Sequence, residues 1–286
     1  MALTKKVFAK PMTDIITERI SVRTYNPKGL TETVRNDLIE YGKTIIPPFQ
    51  SKIRFEIIEN DGIADSTKGK IGTYGVIKGS KYYIAAVVEN GEKNLEDIGY
   101  TLEQLILYAT SKGLGTCWLG GTFTKSSFER MVQLKEHEIL PIITPVGYPA
   151  ENKSLIERMM RYLANSKNRK PWEELFFNQD VQSPLIQEEA SSYKDVLEMV
   201  RLAPSASNKQ PWRVVKVDNQ WHFYLAHNRT YSKAMRYNLQ RIDLGIAMCH
   251  FELTASELGL QGSWQIQSNY PSVNSMDWEY IATWQG

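Results

Sequence analysis

The sequence predicts an α+β chain built of two related α/β halves. Three observations point there. Helical and strand periodicities alternate through roughly the first 150 residues. A polar, basic stretch from about 150 to 190, carrying ENK, NSKNRK and QEEASS clusters, separates them from a second such series. Two runs, Asp97 to Trp118 and Asp243 to Trp264, also match without a gap. Within them Asp97/Asp243, Gly99/Gly245, Leu107/Leu253, Ala109/Ala255, Gly113/Gly259, Leu114/Leu260 and Trp118/Trp264 recur at identical offsets. Core helices in general share Leu and Ala and end in Gly, but the matched Asp, inner Gly and terminal Trp favour a duplication.

The elements follow in order. Apolar positions at helical spacing predict helices over 14–20 and 31–44, separated by the turn-forming Asn26-Pro27-Lys28-Gly29. Ile53 to Ile58 alternates with period two, and Tyr82 to Val88 is an apolar run between Gly79 and Asn90-Gly91, so both are expected as strands. The second suits burial on both faces. A long helix is expected from Asp97 to Lys112, stopped by Gly113, then a helix over 126–133 and a strand over 142–147. After the polar stretch come a helix over 192–202, a hairpin of Trp212 to Val217 with Trp221 to Ala226 across Asp218-Asn219-Gln220, and a helix over 240–258.

Composition narrows the function classes. Lys and Arg total 34 against 32 Asp and Glu, a formal charge of +2, which gives no general pull toward nucleic acid or an anionic membrane. No stretch approaches a membrane span, and the charged start MALTKKVFAKPM lacks the apolar region of an export signal, so a soluble, cytoplasmic protein is expected. Cys117 and Cys249 stand in no metal or redox spacing and are expected as buried small hydrophobes. His137, His222, His227 and His250 fall in no Ser-His-Asp or HExxH pattern and are expected to be structural.

Three segments could carry chemistry. Arg19-Ile20-Ser21-Val22-Arg23 places two guanidinium groups and a hydroxyl on one face of an extended segment, which suits an anion but by itself also suits a solvated surface. Ser166 to Trp172, with Lys167 and Arg169, also suits a solvated basic turn; as a binding segment it fits a local phosphate better than a polynucleotide, since no further basic stretch extends it. The decapeptide Ala203-Pro204-Ser205-Ala206-Ser207-Asn208-Lys209-Gln210-Pro211-Trp212 is more telling. A plain helix-to-strand connector has no need of Asn, Gln and Trp together. Gly113-Leu114-Gly115 does not read as a dinucleotide loop, because these glycines close a helix and do not open one after a strand.

Taken together these segments resemble the nitroreductase family of flavoproteins, whose patterns are R-x-S-x-R, A-P-S/T-x-x-N-x-Q-P-W and a basic K-x-R. The resemblance extends to D-x-G-x9-A-x3-G-L-G-x-x-W at Asp97 to Trp118, to Leu119-Gly120-Gly121, and to Val146-Gly147-Tyr148-Pro149-Ala150-Glu151, nearly the whole chain. The first half departs from it, with Ile45-Ile46-Pro47-Pro48-Phe49-Gln50 where the Pro-Ser-Asn loop should stand. The second half lacks R-x-S-x-R and K-x-R. Family members are usually homodimers with the flavin at the subunit interface, so two fused halves, 1–180 and 181–286, would build one complete site and one degenerate site.

The resemblance implies a nitroreductase-like fold and an FMN-dependent oxidoreductase that passes hydride from NAD(P)H to a nitroaromatic, quinone or similar small electron acceptor. It implies Arg19, Ser21, Lys167 and Arg169 at the FMN phosphate and Arg23 nearer the ring, where a cation stabilises the reduced flavin's negative charge. Pro204, Ser205, Ser207 and Asn208 would line the ring, and the backbone N–H groups of Gly120 and Gly121 would approach its reactive nitrogen. No side-chain catalytic residue and no metal is expected, and the resemblance implies that the two halves form an intramolecular pseudo-dimer, expected as a monomer. The alternatives are a flavin-binding protein without efficient turnover and a relative with other flavin chemistry, such as reductive dehalogenation.

Overall fold

In the computed structural model, residues 7–60, 76–121, 123–151, 168–228, 237–273 and 277–286 are described. The chain divides into two compact units, residues 18–166 and residues 1–17 with 167–286. Residues 168–180, which carry Arg169 of a first-half motif, thus group with the second. The partition by packing and the partition by motif are different. Two local contacts explain the grouping. The carboxylate of Glu257 accepts both its bonds from the Met12 N–H, at 2.7 and 2.9 Å, capping the first turn of α1 (Met12–Glu18). Strand β5 (Phe176–Asn178) pairs in parallel with β6 (Trp212–Val217).

The 18–166 unit is a sheet with helices. Thr31 caps α2 (Glu32–Thr44) by accepting from the Val34 N–H, and β1 (Ile53–Glu59) follows. Strand β2 (Tyr82–Glu89) is buried from Tyr82 through Val88, as its unbroken apolar run anticipates. Then come α3 (Asn94–Ser111), β3 (Gly115–Thr116), α4 (Lys125–Met131) and β4 (Glu138–Gly147). The strands lie in the order β1-β2-β4-β3, all neighbours antiparallel. Helix α3 is buried at almost every position from Asn94 to Ala109, so it is a core helix and not an amphipathic cover.

The second unit repeats this plan. After β5 come α5 (Lys194–Leu202), β6, β7 (Gln220–Ala226), α6 (Leu239–Glu257), β8 (Ser263–Gln265) and β9 (Trp278–Gln285). The sheet order is β5-β6-β7-β9-β8, and without β5 the order and the antiparallel directions are those of the first sheet. The ends of α3 and α6 also correspond. Gly113 and Gly259 take φ of +74° and +77°, while Leu114 N–H bonds Ala109 at 3.0 Å and Leu260 N–H bonds Ala255 at 2.9 Å. A left-handed residue here turns the chain back into the sheet, which glycine does without strain.

The core of this unit is aromatic. Trp221, Phe223, Phe251 and Trp284 are buried, and Phe251 contacts each of the others and the Trp264 ring as well. Most expected elements stand where the sequence puts them, the hairpin turning at Asp218, with φ +50°. The sequence reading assigns nothing after residue 258, yet β9 lies between β7 and β8 and buries Ile281, Ala282, Thr283 and Trp284. Its half-buried Glu279, which pairs with His227 and Arg241, and its buried Thr283 dilute the apolar pattern, and it follows a polar segment. Strands β3, β5 and β8 are two or three residues long, too short to show a period.

Candidate functional site

In the 18–166 unit the R-x-S-x-R segment runs extended along the sheet. Val22 N–H bonds Thr116 at 2.8 Å and Tyr25 N–H bonds Lys78 at 2.9 Å. A Cβ on Gly115 would lie 2.7 Å from Val22 side-chain atoms, so the second glycine of Gly-Leu-Gly is the space that Val22 needs. Glu18, Ile20, Val22 and Thr24 line a cavity of about 220 Å³, while Arg19, Ser21 and Arg23 do not, which agrees with alternation along the segment.

Arg19 is the most constrained of the three. Its side chain is 7% exposed and its Nε lies 3.6 Å from Oε1 of Glu103, whose side chain is fully buried. The other Glu103 oxygen, Oε2, accepts the Trp118 indole N–H at 2.8 Å. Nε and Nη1 of Arg19 and Nε of Arg23 are buried and make no hydrogen bond. Buried guanidinium nitrogens without acceptors cost free energy, and an anion at these positions would recover it. Gly120 and Gly121 form a bend directly after Leu119, whose N–H and C=O exchange bonds with Ile143 at 3.0 and 3.1 Å.

In the other unit the decapeptide is held by a dense network. Ala206 N–H donates to Asp243 Oδ1 at 2.9 Å, and Gln210 N–H donates to Ser205 Oγ at 2.9 Å. Gln210 Oε1 accepts from Lys170 N–H at 2.8 Å, and its amide donates to the Asn208 carbonyl at 3.1 Å. Arg169 donates to Asn208 Oδ1 at 3.4 Å and to the Leu202 carbonyl at 3.1 Å, while Asn208 Nδ2 donates to the Asn168 carbonyl at 2.8 Å. Ser207, Asn208 and Gln210 all have φ near +50°, which the network must hold against steric cost. Arg169, Ser205 and Asn208 are thus brought together; Pro204 is half-buried beside them and Ser207 is exposed. Lys167 lies outside the described residues.

The family model described as "Putative TM nitroreductase" matches residues 12–255. This chain belongs to that nitroreductase family. Among solved structures, a putative nitroreductase of Thermotoga maritima MSB8 is 22% identical with a TM-score of 0.61, covering 96% of this chain and 93% of its own. It shares the fold. An FMN-dependent nitroreductase of Clostridium difficile R20291 is 17% identical over 49% of this chain and 88% of its own, with a TM-score of 0.40. A nitroreductase of Bacteroides fragilis NCTC 9343 with bound FMN is 20% identical over 51% and 92%, with a TM-score of 0.41. No curated protein matches.

Within this chain the paired aspartates of the repeat serve the same structural end. Asp97 accepts Phe49 N–H and Ser51 N–H, each at 2.9 Å, as Asp243 accepts Ala206 N–H. The loop at Ile45–Gln50 is therefore the counterpart of the loop at 203–210, tied to the same position of the equivalent helix. Burial raises both carboxyls, Asp243 to about 8. In the sequence the aspartates stand out only as repeat positions, and Gln210, Glu103 and Trp118 carry no expected site role. Gln210 lay within the quoted motif, whereas nothing local marks Glu103.

Two of the histidines, His222 and His250, are buried and tied into the fold. His222 Nδ1 meets Thr283 Oγ1 and His250 Nδ1 meets the Met199 carbonyl, each at 2.8 Å, and burial holds His222 down at about 4. Cys117 and Cys249 are buried and form no disulfide. Among the described residues no His, Cys, Asp and Glu group suits a metal and no helix is long and apolar enough to cross a membrane.

Proposed function

We propose that this nitroreductase-family protein is an FMN-dependent oxidoreductase that takes hydride from NAD(P)H and passes it to a small oxidised acceptor such as a nitroaromatic or quinone. The observation that carries the reading is the set of buried guanidinium nitrogens on Arg19 and Arg23 that lack acceptors. They fit the phosphate of FMN and a site of negative charge nearby, in the segment where the family pattern has its phosphate-binding arginines. Bound FMN supplies the hydride chemistry.

The chain's own residues bind and orient. Arg19 and Ser21 hold the phosphate together with Lys167 and Arg169, the last also fastening the 203–210 loop. Arg23 offers a positive charge to the ring's electron-rich edge. Pro204, Ser205, Ser207 and Asn208 present a rigid, small-residue wall to the ring, and Gly120 and Gly121 let backbone N–H groups approach it. Each half retains the ligands that the other lacks, so one flavin per chain follows, in a cytoplasmic monomer whose halves stand in for two subunits. A duplication origin is supported by the shared strand order and by the matched closures at Gly113 and Gly259.

The test is spectroscopic. The purified chain, loaded with FMN under anaerobic conditions, should lose its visible flavin absorption on adding NADH or NADPH and regain it on adding a quinone. Retained colour with both nucleotides would make it a flavin binder without this turnover, and failure to take up FMN would reject the reading.

A further inference from the structure

The ion pair between Arg19 and Glu103 is unlike a salt bridge that merely stabilises a surface. Both side chains are nearly or fully out of water, at 7% and 0% exposure. The Arg19 Nε is 3.6 Å from Glu103 Oε1, close enough for charge compensation, yet it makes no hydrogen bond. Glu103 is meanwhile fixed from the other side by the Trp118 indole at 2.8 Å. Trp118 ends the Gly-Leu-Gly-x-x-Trp motif, and the motif's second glycine is the one that makes room for Val22, three residues from Arg19. One structural unit therefore sets both the arginine's backbone and the carboxylate that faces it.

Removing a guanidinium from water is costly unless an anion compensates it. Glu103 supplies that compensation from one edge, while Nη1, on the terminal fork, stays buried without an acceptor. A second anion arriving at that fork meets a cation that Glu103 has already partly neutralised, and it meets the charge of Glu103 through a poorly screened interior. The carboxylate thus favours the empty site and opposes the filled one.

We propose that Glu103 is a resident counter-ion: it stabilises Arg19 when no phosphate is bound and sets an upper limit on how tightly the site holds a phosphate-bearing ligand. The proposal rests on the assignment of Arg19 to the FMN phosphate in its flavin arm, and on the ion pair alone in its phosphate arm. Its signature is a pair of opposite effects from one substitution. Glu103→Gln keeps an oxygen that can accept from Trp118 but removes the charge. The flavin-free variant should melt below wild type in phosphate-free buffer, and inorganic phosphate should then stabilise it at lower concentration than wild type. FMN should bind more tightly by on the order of tenfold, the size expected for one charge acting through a partly screened interior. Riboflavin, which has no phosphate, should bind both proteins alike.

Equal tightening of riboflavin and FMN, or weaker phosphate binding by the variant, would overturn the proposal. Should wild type bind neither flavin while the phosphate arm behaves as expected, the counter-ion role stands and the FMN assignment falls. Should Glu103→Gln not fold, Arg19→Met combined with Glu103→Gln decides, because it also removes the uncompensated cation. Recovery of folding with no phosphate response supports the proposal. A double variant as unstable as the single one shows that Glu103 serves the fold through some other contact, and overturns it.

Discussion

The Asn208 side chain receives a hydrogen bond from the Arg169 guanidinium at 3.4 Å and returns one to the Asn168 carbonyl at 2.8 Å. Two sequence motifs, the basic segment and the Pro-Ser-Asn loop, are therefore one piece of structure. Asn208 also sits at φ +55°, where Asn is tolerated far better than most residues. Asn208→Ala should cost about 1–3 kcal/mol of stability in urea titrations, from lost hydrogen bonds and backbone strain. It should also weaken FMN binding. Exposed Ser207 makes a useful contrast, since its hydroxyl has no comparable network and Ser207→Ala should leave stability within about 0.5 kcal/mol.

Asp243 gives a pH prediction with a definite sign. Its folded value, about 8, lies above the ordinary carboxyl value of 3.8, so the folded protein keeps a proton that the unfolded chain releases. Its contribution to stability is full below pH 3.8, declines as pH rises toward 8, and is constant above that. Asp243→Asn keeps an oxygen for the Ala206 N–H and removes the ionisation. The variant should gain melting temperature relative to wild type, more at pH 8 than at pH 5. Equal differences at the two pH values would show that Asp243 is ionised when folded.

Arg19→Ala removes a buried cation from the proposed phosphate site. Charge-assisted bonds of this kind contribute roughly 1.5–3 kcal/mol, so FMN affinity should fall about 10- to 100-fold, read by fluorescence quenching on titration. Riboflavin affinity should change much less.

Gly113 and Gly259 close equivalent helices with nothing within 4 Å of where a Cβ would stand. Alanine at either position therefore meets only the left-handed backbone, at a cost of about 1–2 kcal/mol. The two variants should show similar losses in thermal unfolding. Markedly unequal losses would mean that the two helix ends do different structural work.

Periodicity makes the long elements legible: α2, β2, the β6–β7 hairpin and α6 all bury a face or a whole run that repeats at the right spacing, whereas β1 alternates in sequence but buries only Ile58. It could not reveal β3 or β8, which exist because a neighbouring strand offers them partners, nor β9, whose polar positions face other elements. The site divides in the same way. The 203–212 loop was readable because left-handed positions and side-chain tethers demand Ser, Asn and Gln in the sequence itself. Glu103 was not, since a lone Glu among helical Leu residues looks solvated until the fold brings Arg19 and Trp118 to it.

In the proposed function, ligands retained in complementary halves of the chain serve a single FMN. Flavin stoichiometry tests it most directly: the protein is saturated with FMN, freed of excess, and its flavin absorbance after denaturation is compared with chain concentration by amino-acid analysis. One FMN per chain is the expected result, with binding abolished or severely weakened by Arg19→Ala and by Asn208→Ala alike. Two flavins per chain, or one flavin that Asn208→Ala leaves fully retained, would contradict it.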